Sequence, residues 1–281
     1  MKWTATSLVA LLVFAGCSES RQEPTGASAV VSDTANNLEE LRSGELELSV
    51  LTTSAPGADG SAEAGFELSG TFQLPDEGSL PVADLEFTDL GSDEPISRGF
   101  ISTGEAAFIE VDGQAYELSD EQSQGLIGGS GDGDALFEGV DIGGWFVDAE
   151  LKEGESLDGE QVDTVTGDLD VVLALNDLFE IAERFGSPTA FGSIEGDEAE
   201  RLQNAVRSSS IEIASGSEDR LLRHLLIEVD LALDEGLSLA ESLGPLAGAS
   251  FTIEMDIAAP NEEVEVEAPA DALPFEQLGA P

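Results

Sequence analysis

Few side chains in this sequence can do chemistry. Among 281 residues there is one cysteine, Cys17, one histidine, His224, and two lysines, Lys2 and Lys152. That scarcity removes multi-histidine metal cages, most routes to lysine Schiff bases and paired-histidine acid/base catalysis. A serine hydrolase would have to use His224 as its base. The nearest nucleophile motif, Gly236-Leu237-Ser238-Leu239-Ala240, has alanine where the nucleophile elbow needs its last glycine. His224 lies in Arg220-Leu221-Leu222-Arg223-His224-Leu225-Leu226 and faces opposite to Leu225 on a strand, which predicts an exposed or surface-paired histidine. Asp132-Gly133-Asp134 begins like a calcium loop. Leu136, Phe137 and Gly143 then fill the fifth, sixth and twelfth positions, where an oxygen ligand, a glycine and a bidentate acid are required, so a flexible loop is expected. The run Gly128-Gly129-Ser130-Gly131-Asp132-Gly133 misplaces the third glycine of a dinucleotide turn. The expectation is a chain that is not an enzyme and holds no metal and no dissociable cofactor.

Cys17 is the exception. Met1 and Lys2 precede an uncharged, mostly apolar stretch over 3–16, shorter than the roughly 20 residues a membrane-spanning helix needs, and this reads as a signal peptide over 1–16. Its end, Phe14-Ala15-Gly16-Cys17, resembles a bacterial lipobox, with Phe14 in place of the usual leucine. In that motif the thiol carries a diacylglycerol thioether, and the only cysteine of the chain sits where that chemistry needs it. Acyl chains contribute on the order of 0.8 kcal/mol per buried CH₂, and stable attachment takes more than one chain, which a diacylated cysteine supplies. The expectation is a lipid-anchored protein on the extracytoplasmic side of the cell membrane, with palmitate-like chains on Cys17 and no disulfide.

Lys and Arg number 10 against 59 Asp and Glu, a formal charge of −49. Nucleic-acid binding draws on cations at phosphates, so that partner class is excluded, and charge-driven docking on anionic lipid is disfavoured likewise. Glu and Asp fill the alternate positions of apolar strands, which puts most carboxylates on a solvated face by pleat geometry. A hydrophobic fraction of 41% still implies a packed core.

The elements follow from periodicity. Residues 17–37 are small, polar and aperiodic, as in a flexible tether. A short helix, Leu38-Glu39-Glu40-Leu41-Arg42, runs into Gly44. Alternation of period two then marks strands at Leu46/Leu48/Val50, Phe66/Leu68/Gly70/Phe72/Leu74, Ala83/Leu85/Phe87, Ala107/Ile109/Val111, Leu225/Ile227/Val229/Leu231/Leu233, Phe251/Ile253/Met255/Ile257 and Val264/Val266. This predicts an antiparallel sheet with one wet and one apolar face. Asp112-Gly113 is a two-residue hairpin turn. Asp170 caps a helix with the stripe Val171, Leu175, Leu178, Ala182 and Phe185, closed by Gly186 and Pro188, and a second helix is expected over 197–207. Arg42 to Leu48 and Arg207 to Ile213 both end a helix and open a strand, a junction that two halves of one design would share and that any helix-to-strand passage can mimic.

Cys17 with its tether, the amphipathic strands and residues 145–171 together resemble the LppX/LprG-type lipoproteins, relatives of the LolA and LolB carriers. The matching positions are Gly154-Glu155, Asp158-Gly159, Val162-Asp163-Thr164 and Thr166-Gly167 before a helix, then Asp219-Arg220-Leu221-Leu222-Arg223, Ala259-Pro260-Asn261 and Ala268-Pro269. These are turns and strand edges rather than chemistry. The resemblance covers most of 38–278 and implies one α+β domain there: a curved antiparallel half-barrel sheet with helices covering the concave face and an apolar cavity between. Acyl chains of a lipid or acylated cargo would lie against Phe66, Leu68, Phe72, Leu85, Phe87, Ile227, Val229, Phe251 and Ile253. The implied role is a monomeric lipid-binding lipoprotein for transport or presentation in the cell envelope. The alternative is an envelope sensor or scaffold of the same fold with a protein partner.

Overall fold

The computed structural model describes residues 26–53, 63–74, 79–91, 95–119, 122–123, 142–157, 159–184, 193–232 and 250–278. Twelve strands form one sheet: β1 (Ser43–Thr53), β2 (Glu63–Gln73), β3 (Val82–Asp89), β4 (Ile96–Thr103), β5 (Ala107–Val111), β6 (Gln114–Glu117), β7 (Phe146–Leu157), β8 (Glu160–Leu169), β9 (Val206–Gly216), β10 (Leu222–Leu231), β11 (Ser250–Ala258) and β12 (Leu273–Pro274). Their spatial order is β12-β6-β5-β4-β3-β2-β1-β11-β10-β9-β8-β7, with every pair antiparallel except β12 on β6. Three α-helices stand among the described residues: α1 (Ala27–Asn37), α2 (Val171–Arg184) and α3 (Asp197–Ala205). The result is the α+β arrangement expected: an open, curved sheet with its helices on the concave face.

Neighbouring strands are joined by short connections where the sequence supplies the turn. Asp112 and Gly113 take φ of 52° and 77° between β5 and β6, the left-handed pair that a two-residue hairpin requires. Curvature has a cause in β2. A Cβ on Gly65 or Gly70 would lie 2.0 Å from the carbonyl oxygen of Val50 or Asp84, so only glycine lets the neighbouring backbones approach that closely.

Residues 27–37 correct the tether expected over 17–37. They form α1, with Val30, Val31 and Thr34 buried against the sheet. Val30 and Thr34 are four residues apart and Val31 adjoins them, so one helical face carries all three. The Thr34 hydroxyl donates to the Val30 carbonyl at 2.8 Å and lies 2.6 Å from Ser215 Oγ, while Asn37 Nδ2 donates to the Asp219 carbonyl at 2.9 Å. Small polar composition masked a docked helix, and α1 is part of the folded body.

The other helices follow their sequence signals. Asp170 Oδ1 accepts the Leu173 N–H at 3.1 Å, capping α2. Asn176 on α2 accepts the Ile194 N–H at 2.8 Å and donates to its carbonyl, fixing the approach to α3. Trp145, in a 3₁₀ turn over Ile142–Trp145, donates Nε1–H to Asp177 Oδ2 at 2.7 Å. Val171, Ala174, Leu175, Phe179 and Leu202 from these helices meet Val165, Ile211, Ile213, Ile227 and Phe251 from the sheet, forming the main core.

A second correction concerns Val264 and Val266, where alternation predicted a strand. Ala259 and Asn261 take φ of 47° and 63°, which ends β11 at Ala258, and no strand forms over 259–272. The segment runs instead to the far edge of the sheet. Asn261 Oδ1 accepts the Arg42 N–H at 2.7 Å, Gln73 Oε1 accepts the Val264 N–H at 3.3 Å, and Leu273 and Pro274 pair with Tyr116 and Glu117.

Candidate functional site

Cross-strand register aligns mostly apolar positions of ten strands on one face. One row reads Leu151, Val165, Ile213, Leu225, Met255, Leu48, Leu68, Phe87, Arg98 and Val111 from β7 to β5. The next reads Ile211, Ile227, Ile253, Val50, Phe66, Asp89 and Ile96. Every residue expected to line a cavity lies on this face, but the face has two environments.

Over β8 to β11 it is covered. Ile227, Val229, Phe251 and Ile253 are buried in the main core, with Ile227 at 0% and Phe251 at 1% exposure. The apolar sides of α1, α2 and α3 fill the space above them, so these four sit in packed core. Over β2 to β4 the same face is half covered. Phe66, Leu68, Phe72 and Leu85 are partly buried, Phe87 is 37% exposed and Ile96 is 48% exposed. Phe66 and Phe87 stack with ring centroids 5.6 Å apart, making a flat aromatic surface. At the far end Phe100, Ile109 and Phe275 pack on Leu80, Ala107 and Leu118, so the C-terminal segment covers the last strands. The accessible apolar surface thus lies between two clusters, centred on Phe66, Leu68 and Phe87. Sequence reasoning did not single out Ile96 or Phe100. The alternation of β4, broken by Arg98 and Gly99, hid them.

Gly154 and Asp163, from the middle of the resemblance, meet Asp219, Arg220 and Arg223, from its later part, at one end of the sheet in a charged network. Arg220 pairs with Asp163, which also accepts from Gly154 N–H at 3.0 Å and Ser217 Oγ at 3.2 Å. Arg223, buried, donates to Glu160 and Asp219, both at 2.7 Å. The hydrogen bond from Arg220 holds the Asp163 carboxyl below its ordinary range, against the opposing effect of burial. Burial acts to raise Asp219, but hydrogen bonds from Arg223 and the Leu221 N–H outweigh it and the net shift is downward. Each charge is answered, so this network braces β8 to the turn between β9 and β10 rather than offering a reactive group.

His224 is surface-paired as expected, on the polar face, with Nδ1 2.7 Å from Asp256 Oδ1. Register also brings Glu254 near, and one ligand atom from each of His224, Glu254 and Asp256 lies within 4.8 Å of the others. The set has nitrogen and oxygen donors suited to a divalent cation. It borders a shallow groove of about 310 Å³ that Glu47, Ser49, Glu67 and Ser69 also line. This lies on the opposite side of the sheet from the apolar surface. Cys17, the signal segment, the glycine run at 128–133, the rest of the expected loop up to residue 141, Phe185, Gly186 and Pro188, and the motif at 236–240 lie outside the described residues, whereas Gly143 lies in the 3₁₀ turn Ile142–Trp145.

Neither a protein-family model nor a curated protein matches the sequence. Among solved structures the chain is similar to LprF from Mycobacterium bovis, at 9% identity and a TM-score of 0.44, covering 87% of this chain and 97% of that one. It is similar to the Mycobacterium tuberculosis lipoprotein LppX at 12% identity and a TM-score of 0.40, covering 86% and 98%. A LolA superfamily protein from Nitrosomonas europaea aligns at 11% identity and a TM-score of 0.21, covering 88% and 96%.

Proposed function

We propose that this chain is a membrane-anchored lipoprotein, held by a diacylglycerol thioether on Cys17, that binds acyl chains and carries or presents them in the cell envelope. The observation behind this reading is the unequal cover of one apolar face. The half under the helices is sealed, whereas Phe66, Leu68, Phe87 and Ile96 keep apolar surface accessible among the described residues. Such surface costs free energy in water, and an alkyl chain laid on it offsets that cost by about 0.8 kcal/mol per buried CH₂. Binding without catalysis fits the chemistry at hand, since this face carries neither a nucleophile beside a base nor a pair of carboxylates in a cleft among the described residues.

The test is native purification of the full chain in a mild, exchangeable detergent, followed by lipid extraction and titration with fluorescent fatty acyl probes of increasing length. Co-purified lipid and an affinity that rises with chain length support the proposal. A chain without extractable lipid that binds no probe at any length overturns it and turns attention to a protein partner.

A further inference from the structure

We propose that Arg98 selects the cargo: the apolar face takes amphiphiles whose head is anionic, a carboxylate or a phosphate, with the Arg98 guanidinium as its partner. This rests on the reading of the face given above and adds to it the chemical class of the headgroup.

The strand pleat places Arg98 on the apolar side. It is the cross-strand partner of Phe87, whose own partner is Leu68, and it shares its face with Phe100 two residues on. Opposed residues in such a ladder hold their Cβ atoms about 5 Å apart, so the guanidinium stem starts beside the aromatic surface. Ile96, the next residue of β4 on that face, is the most exposed of the large apolar residues, and Arg98 is exposed too. The cation therefore stands where the apolar surface opens to water. A chain lying from Arg98 across β3 and β2 to Leu48 on β1 would cross three strand spacings, about 14 Å of apolar surface.

With 59 acids to 10 bases, a surface arginine has many carboxylates to meet. Arg220 and Arg223 are ion-paired, and Arg201 donates to the Asp197 carbonyl. The side chains of Arg98, Lys152 and Arg207 make no hydrogen bond or ion pair among the described residues, and of the three only Arg98 is the cross-strand partner of Phe87. The carboxylate diagonal to it on the same face, Asp89, turns Oδ1 to the Gly91 N–H at 2.7 Å. Glu86 and Glu110, both opposite Gly99, belong to the other face. A guanidinium without a partner among the described residues, at the mouth of an apolar surface, matches a flat, bidentate anion at the end of an alkyl chain.

The experiment compares head groups at constant tail. Full-length protein loaded with a neutral fluorescent acyl probe is titrated with dodecanoate, dodecyl phosphate and dodecanol, below their micellar concentrations. The buffer is near pH 8, where both acids are ionised, with about 0.5 M KCl to screen the overall negative field. The expected result is a three- to tenfold preference for one or both anions over the alcohol. In Arg98→Gln the preference disappears while dodecanol displaces the probe as before, and Arg98→Lys keeps part of it. The two anionic arms tell carboxylate from phosphate. Equal affinities in the parent protein, or a preference that survives Arg98→Gln, overturn the role of Arg98 while leaving the apolar face as a binding surface. Displacement by none of the three overturns both readings.

Discussion

Truncating two residues of the same face separates core from binding surface. Ile227 is fully buried between Ile211 and Ile253, so Ile227→Ala opens a cavity in packed surroundings. Such changes cost 2–5 kcal/mol, and a site this enclosed should fall near the upper end, at about 4 kcal/mol. Phe87 is the larger side chain, but it is 37% exposed and leans on one side against Phe66. No closed cavity is left when it is shortened. The loss is part of its burial plus an aromatic pair of about 0.5–1.5 kcal/mol, and Phe87→Ala should therefore cost about 1–2 kcal/mol in all. Urea denaturation with a shared slope reads both values. The acyl-probe titration should show the reverse order, with Phe87→Ala weakening uptake and Ile227→Ala leaving it near the parent value. If Phe87→Ala destabilises as much as Ile227→Ala, or if only Ile227→Ala impairs uptake, the division of the face into sealed and accessible halves is wrong.

The ion-pair network gives a pH-dependent prediction. The Asp163 pKa is lowered in the folded state, so the stabilisation from its ionised form is full above about pH 5 and is lost as pH falls below the ordinary value near 3.9 and through the native one. Asp163→Asn should cost about 2–3 kcal/mol at neutral pH, and its deficit against the parent should shrink in acid; a deficit constant down to pH 2 would refute the assignment. Repulsion among carboxylates on the outer face should raise the thermal midpoint in 1 M KCl over that in 0.1 M, as the Debye length falls from about 10 to 3 Å. A flat or falling midpoint would mean the charges are already balanced. Cys17→Ser should move the protein from the membrane fraction to the soluble fraction, and retention at the membrane would point to another anchor.

Strands were legible wherever one face is wet. In β1, β2, β3, β10 and β11 an apolar residue alternates with an acid or a small polar one, and a pleat has no other way to sort them. The hairpin at Asp112-Gly113 and the Asp170 cap were legible because each is a local bond between near neighbours. The strands that escaped have local reasons too. In β8, Val162, Asp163, Thr164 and Val165 are all buried, so alternation vanishes where both faces are covered. In β7 the ladder slips twice, between Val147 and Glu150 and between Lys152 and Glu155, and any period slips with it.

The candidate site was legible as a face and not as a place. Parity along each strand put Phe66, Leu68, Phe87, Ile227 and Phe251 on one side, and that much the amino-acid order determined alone. Which of them meets water depends on what lies above, and nothing within β10 or β3 encodes it. α1 docks through Thr34 onto Ser215 from 181 residues away, turning polar, small-residue chain into cover for β8 to β11. The C-terminal segment, turned out of β11 at Ala259 and Asn261, brings Phe275 to Phe100 and Ile109 at the other end. Between those two covers Phe87 and Arg98 stay accessible. Periodicity is a property of a few consecutive residues, whereas exposure is settled by segments that meet only when the whole chain has folded.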